Sequence, residues 1–146
     1  MEPTLRVLPP NEVKARWLEI APLLDKAVLH GRGELAVDDI LDLVASQQMF
    51  VAGLEQEGRI HLAIAAEVIR YPRKRVLNLA FAGGTRSGTD ASYIWDRLQE
   101  MARLLNASAV QCYCRESIAR YLEKLQPDVE RAYIVVEKKV ADENLQ

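Results

Sequence analysis

Histidine and cysteine are nearly missing from this chain, two of each in 146 residues. Cys112 and Cys114 have no histidine nearby, so a zinc site lacks its ligands. On a strand the two would share a face with Cα atoms about 6.5 Å apart. That is the upper edge of disulfide geometry, so buried reduced thiols are expected. Two histidines build no Ser-His-Asp or Cys-His constellation. Long apolar runs are missing too: none approaches the ~20 residues of a membrane span. The opening "MEPTLRVLPP" lacks the basic start and apolar stretch of a signal peptide. Neither sign of charge dominates, with a formal net charge of −2. Whole-surface attraction to nucleic acid or an anionic membrane is therefore not expected. A soluble cytoplasmic protein is the reading.

Apolar side chains are abundant, at 49%. One core in one domain over residues 1–140 fits this length. The polar tail "ADENLQ" is expected to be mobile or ordered against a partner. "TLRVL" alternates as a short strand closed by Pro9 and Pro10. Val13, Trp17, Ile20 and Leu24 fall at helical spacing, with Pro22 expected to kink or split that helix. Val37, Ile40, Leu41 and Val44 mark a second helix, with Asp38 and Asp39 at its positive end. Met49–Glu55, Arg59–Tyr71 and Val76–Ala82 read as an antiparallel meander. Gly58 would supply the positive φ of the first turn. Ile94, Leu98, Met101 and Leu105 place a helix over Ala91–Leu105, capped by Thr89 or Asp90 and stopped near Asn106. A strand Ala109–Cys114, a helix Ser117–Leu125 ended by Pro127, and a strand Arg131–Val140 complete the chain. The fold class is α/β: a mixed, mostly antiparallel sheet with helices on both faces, in the order β-α-α-β-β-β-α-β-α-β.

Three stretches carry a resemblance. "LNLAFAGGTRSGTDASYIWDRL" runs from strand through a glycine-containing loop into a helix. "ARLLNASAVQCYC" passes from helix to strand, and "RESIARYLEKL" forms the helix after it. Together with the element order they resemble the GNAT N-acetyltransferases, which use acetyl coenzyme A. "RESIARYLEKLQPDVE" and the "GG…W…ARLLNA" spacing resemble the small GNAT-like proteins of tailed phages and prophages. The resemblance implies that the backbone of Ala80, Phe81 and Ala82 would meet the pantetheine arm. It places the pyrophosphate at Gly83, Gly84, Arg86 and Gly88, where loop amides and a helix dipole hold anions. It makes Tyr121 the proton donor to the departing thiolate.

The loop departs from the family pattern Gln/Arg-x-x-Gly-x-Gly/Ala. Its glycines come early, at the strand end, and Asp90 stands at the helix mouth. A carboxylate there would occupy the free amides and repel a phosphate. The glycine-aromatic pair usual after the last helix is replaced by "LQP", and one strand follows it where the family has two. A non-catalytic component of virion or tail assembly is therefore the leading expectation. It would be cytoplasmic in the host or virion-associated, would bind protein partners or itself, and would need no cofactor. The alternative is an acetyl-CoA-dependent N-acetyltransferase acting on a small or protein amine.

Glu67 is the candidate base. On its strand it is expected to share a face with His61, Ala63, Ala65 and Ile69, where small alanines leave room for a ligand. A pairing with Arg70, Arg73 or Arg97 is the plainer alternative. Tyr121, at helical spacing with Ile118, Leu122 and Leu125, also reads as a half-buried packing residue. "RYPRKR" (Arg70–Arg75) is a basic hairpin tip, most simply a solvated turn. Trp17 and Trp95 are either packed in the core or exposed as anchors for another chain.

Overall fold

A computed structural model describes residues 2–84 and 90–141. The chain divides after Tyr113 into two compact units. The first holds β1 (Thr4–Leu8), α1 (Pro10–Ala15), α2 (Trp17–Leu29), α3 (Val37–Ala45), β2 (Phe50–Gln56), β3 (Arg59–Arg70), β4 (Arg75–Gly84), α4 (Ala91–Leu104) and β5 (Ala109–Gln111). The second holds α5 (Glu116–Leu125) and the segment after it. The five strands form one sheet in the order β1-β2-β3-β4-β5, antiparallel except for the β4–β5 pair.

The sheet separates two apolar clusters. On one face α2 buries Ile20, Leu23 and Leu24, and α3 buries Ile40 and Val44, against Val51, Ile60, Ala63 and Ala65. On the other, α4 buries Leu98, Met101 and Ala102 against Leu54, Ile64, Leu77 and Leu79. Each helix uses positions three and four apart, so a single stripe meets the sheet. Trp17 packs beside the first cluster and Trp95 beside the second. The Trp17 indole N–H also donates to Asp38 at 3.1 Å.

The first helix breaks at Arg16 rather than at the expected Pro22. Pro22 sits inside α2, and the carbonyl it leaves without an amide belongs to Leu18, whose side chain is 93% exposed. At this break the Arg16 side chain enters an ion network. Its Nε lies 3.0 Å from Glu19, its Nη1 reaches Glu12 and Glu55, and its Nη2 donates to the Gly58 carbonyl at 2.9 Å. Arg6 joins through Glu12 at 2.8 Å and Glu55 at 3.1 Å. Glu19 closes the array by accepting the Ile60 amide at 2.7 Å. Hydrogen bonds from the arginines hold these carboxylates below their ordinary range, with Glu12 lowered to about 2.

Turns follow their chemistry. Glu57 and Gly58 both take positive φ, 54° and 76°, in a two-residue β2–β3 turn, the geometry that matches strand twist. Asn106 (φ 58°) ends α4 as expected: its amide bonds to the Arg103 carbonyl, and the Ala107 amide bonds to Ala102. That is the Schellman arrangement, with asparagine in the left-handed position. Gln47 (φ 63°) does the same after α3.

Strand β4 runs through Gly84, so both glycines lie within it rather than in a loop. Gly83 is required by packing, since a Cβ there would sit 2.0 Å from the Leu23 carbonyl oxygen of α2. Helix and strand touch backbone to backbone. Strand β5 ends at Gln111, not at Cys114, and residues 131–140 form no strand. No partner strand fixes either stretch among the described residues. Cys112 is accordingly half-buried and Cys114 exposed, neither in a disulfide, which corrects the expectation that both are buried. No helix among the described residues is long and apolar enough to cross a membrane.

Two measurements probe this framework. Gly83→Ala should lose about 1–3 kcal/mol in urea unfolding; an unchanged midpoint would mean that α2 lifts from β4 without cost. The depressed carboxylates make a pH statement. Their contribution is complete above about pH 4.5, the unfolded value, and is lost as the pH falls toward 2. Urea midpoints should therefore fall on acidification across that window. The fall should be shallower in Glu12→Gln, and equal slopes in the two proteins would refute the assignment.

Candidate functional site

Strands β4 and β5 pair for three positions only: Val76 with Ala109, Leu77 with Val110, and Asn78 with Gln111. Beyond Asn78, β4 continues to Gly84 with no strand on that side among the described residues. At ~3.3 Å per residue this exposes about 20 Å of strand edge. A β-bulge contributes to the parting. Ala65 pairs with Phe81 and Ala66 with Leu79, so Ala80 is the extra residue. It bends β4 and reverses its faces. Leu77 and Leu79 pack on the α4 side, whereas Ala80 and Phe81 pack on the α1–α3 side. Ala82 is exposed.

A polar row crosses three strands at the vertex of this opening. Glu67 of β3 stands opposite Asn78 of β4, which stands opposite Gln111 of β5. Asn78 Nδ2 donates to Glu67 Oε1 at 3.1 Å, and Gln111 Nε2 donates to Asn78 Oδ1 at 3.4 Å. Asn78 is 3% exposed, while Glu67 and Gln111 are half-buried. Glu67 therefore has a neutral amide for a neighbour and not the arginine considered from sequence. Arg97 is engaged elsewhere, donating to the Leu5 carbonyl at 3.3 Å and to Glu100 at 2.6 Å. A carboxylate positioned by one amide donor keeps acceptor capacity for a ligand proton.

His61 does not join Glu67. Leu54 pairs with Leu62 and Glu55 with Ile60, so His61 is itself bulged out of the β2–β3 ladder. Ile60 takes the core position in its place. The six-residue separation along β3 puts His61 about 20 Å from Glu67. It borders an open hollow of about 490 Å³ with Glu19, Gly58, Arg59 and Ile60. Asp90 stands at the N-cap of α4, but its side chain makes no capping hydrogen bond to that helix. Its φ of −99° and ψ of 8° are not the extended geometry that capping uses. The capping expected of this carboxylate is not seen in α4 as described.

Gly83 and Gly84 lie at the far end of the open edge, whereas Arg86 and Gly88 lie outside the described residues. Tyr121 is on α5 in the second unit, 45% exposed. Arg75, in the basic tip, donates to the Leu105 carbonyl at 3.2 Å and so supports the C-terminus of α4. Sequence reasoning missed Asn78 and Gln111. The available signal was Asn78 itself, an amide inside the apolar run "VLNLAFA", because a buried amide needs partners.

The sheet order, the two covered faces and the early parting of β4 from β5 define an α/β protein of the GNAT fold. Solved acetyltransferases share it. An aminoglycoside acetyltransferase from an uncultured soil metagenomic sample, in complex with sisomicin, matches with a TM-score of 0.70 at 10% identity, over 95% of this chain and 97% of its own. The ribosomal-protein-alanine N-acetyltransferase of Brucella melitensis biovar Abortus 2308 matches with 0.70 at 14%, over 94% and 99%. Aminoglycoside N-acetyltransferase AAC(6')-Iy in complex with CoA matches with 0.69 at 10%, over 96% of both chains. At such identities the likeness shows the fold. No family profile and no curated protein matches the sequence.

The polar row can be tested by an isosteric change. Asn78→Asp places two carboxylates side by side, which disfavours their joint ionisation. Its urea midpoint should lie below that of the parent at pH 7, and the gap should narrow by pH 4. Superimposable midpoints at pH 7 would show that Asn78 and Glu67 do not touch.

Proposed function

We propose that this chain is an acetyl-CoA-dependent N-acetyltransferase acting on a primary amine. The parting of β4 from β5 beyond Asn78 and Gln111 carries the reading. An unpaired strand edge offers alternating N–H and C=O groups, the complement of an amide-containing arm. The donor set of Ala80–Ala82 thus suits the pantetheine portion of the cofactor. The acetyltransferase neighbours, one of them with CoA bound, favour this reading over a non-catalytic phage component.

Acetyl-CoA would supply the acetyl group as a thioester. The backbone of Ala80, Phe81 and Ala82 would hold its arm, and Gly83 and Gly84, where β4 ends, would stand toward its pyrophosphate. Glu67 accepts the proton that the amine nitrogen sheds, with its carboxylate aimed by Asn78. Tyr121 is the proposed proton donor to the leaving sulfur.

Melting curves with acetyl-CoA test the reading. At a hundredfold excess over Kd, binding adds about 2.7 kcal/mol to stability and a clear rise in Tm. Glu67→Gln should keep that rise while thiol release in the presence of an amine panel falls by about 100-fold or more. A parent protein with neither a Tm rise nor thiol release would return the chain to the non-catalytic role.

A further inference from the structure

The polar row at the vertex has a direction. Ala66, Leu77, Leu79 and Val110 pack on the α4 side of the sheet. Glu67, Asn78 and Gln111 alternate with them and so share the opposite side. Along the row every N–H points the same way, from β5 toward β3. Gln111 Nε2 donates to Asn78 Oδ1 at 3.4 Å, and Asn78 Nδ2 donates to Glu67 Oε1 at 3.1 Å.

Nothing in the shape of Asn78 selects that direction. A carboxamide turned by 180° fills nearly the same space, but it exchanges its donor end for its acceptor end. Turned so, Asn78 would set Oδ1 against the ionised Glu67, and two acceptors would meet without a proton between them. Asn78 is 3% exposed, so its Oδ1 must be answered from within the protein. Gln111 answers it, from the side away from Glu67. The Gln111 side chain makes no other hydrogen bond among the described residues. One oxygen of Glu67, Oε1, is thereby engaged, while Oε2 has no hydrogen-bond partner among the described residues.

We propose that Gln111 is a positioning residue: through Asn78 it keeps Oε1 of Glu67 occupied and reserves Oε2 for the proton of the amine. The proton role rests on the acetyl-transfer reading, whereas the alignment of the row stands on its hydrogen bonds alone. Without the Gln111 donor, the Asn78 amide is free to turn. The carboxylate then loses the contact that aims it, and its two oxygens become equivalent toward a ligand.

Two measurements on the full chain test this. Gln111→Met keeps the length of the side chain and removes its donor, while Gln111→Lys keeps a donor. In nitrogen-15 NMR, the side-chain amide protons of Asn78 should exchange about tenfold faster in Gln111→Met, the loss of roughly one hydrogen bond. In Gln111→Lys they should stay near the parent rate. Unchanged Asn78 exchange in Gln111→Met would overturn the alignment. With acetyl-CoA and an accepted amine, Gln111→Met should lower kcat about tenfold through the misaimed base, with KM for acetyl-CoA unchanged. Gln111→Lys should restore kcat. In a Glu67→Gln background the Gln111→Met change should have no further effect, because both act on one proton transfer. A second tenfold loss there would show that Gln111 acts without Glu67 and would overturn the positioning role. A parent that releases no thiol with any amine would remove the acetyl-transfer reading and the proton role with it, and the exchange rates would still decide the alignment.

Discussion

The structure depends on how briefly β4 and β5 hold together. Three paired positions end at Asn78 and Gln111, and the remainder of β4 keeps one edge open. Had the ladder continued, its hydrogen bonds would have consumed the groups that can receive a ligand. The bulge at Ala80 works with this early end. It bends the strand and moves Phe81 to the α1–α3 side, so one inserted residue alters both direction and facing. The same vertex carries the polar row that positions Glu67.

Much else serves to keep β4 in place. The contact of Gly83 with the Leu23 carbonyl fixes α2 over the strand without any side chain that could change rotamer. Below the vertex, Arg75 ties the start of β4 to the end of α4, and the Ser108 amide donates to the Arg75 carbonyl at 2.9 Å. The Arg16 network joins the α1–α2 junction, β2 and the β2–β3 turn into one rim. Apart from the Arg16–Glu19 pair, these links cross between elements far apart in sequence.

Legibility followed the range of the interaction. The helices were readable from apolar spacing, the β2–β3 turn from Gly58, and the α4 stop from Asn106, because those signals are local. The GNAT fold was readable from element order. The break at Arg16 was not, since Arg16 also reaches Glu55 of β2 and the Gly58 carbonyl, which no local window contains. The bulges at His61 and Ala80 were likewise invisible, because a register shift is a property of two strands. This is why His61 was expected beside Glu67. The glycines at 83 and 84 resembled a cradle for anions, yet a helix backbone explains Gly83. Residues 131–140 read as a strand and have the composition of one, but a strand exists only with a neighbour to pair with.

The treatment of Leu5 has a consequence for that border of the sheet. Its outward amide and carbonyl answer to a phenol and a guanidinium, so a strand approaching β1 there would have to displace both before it could pair.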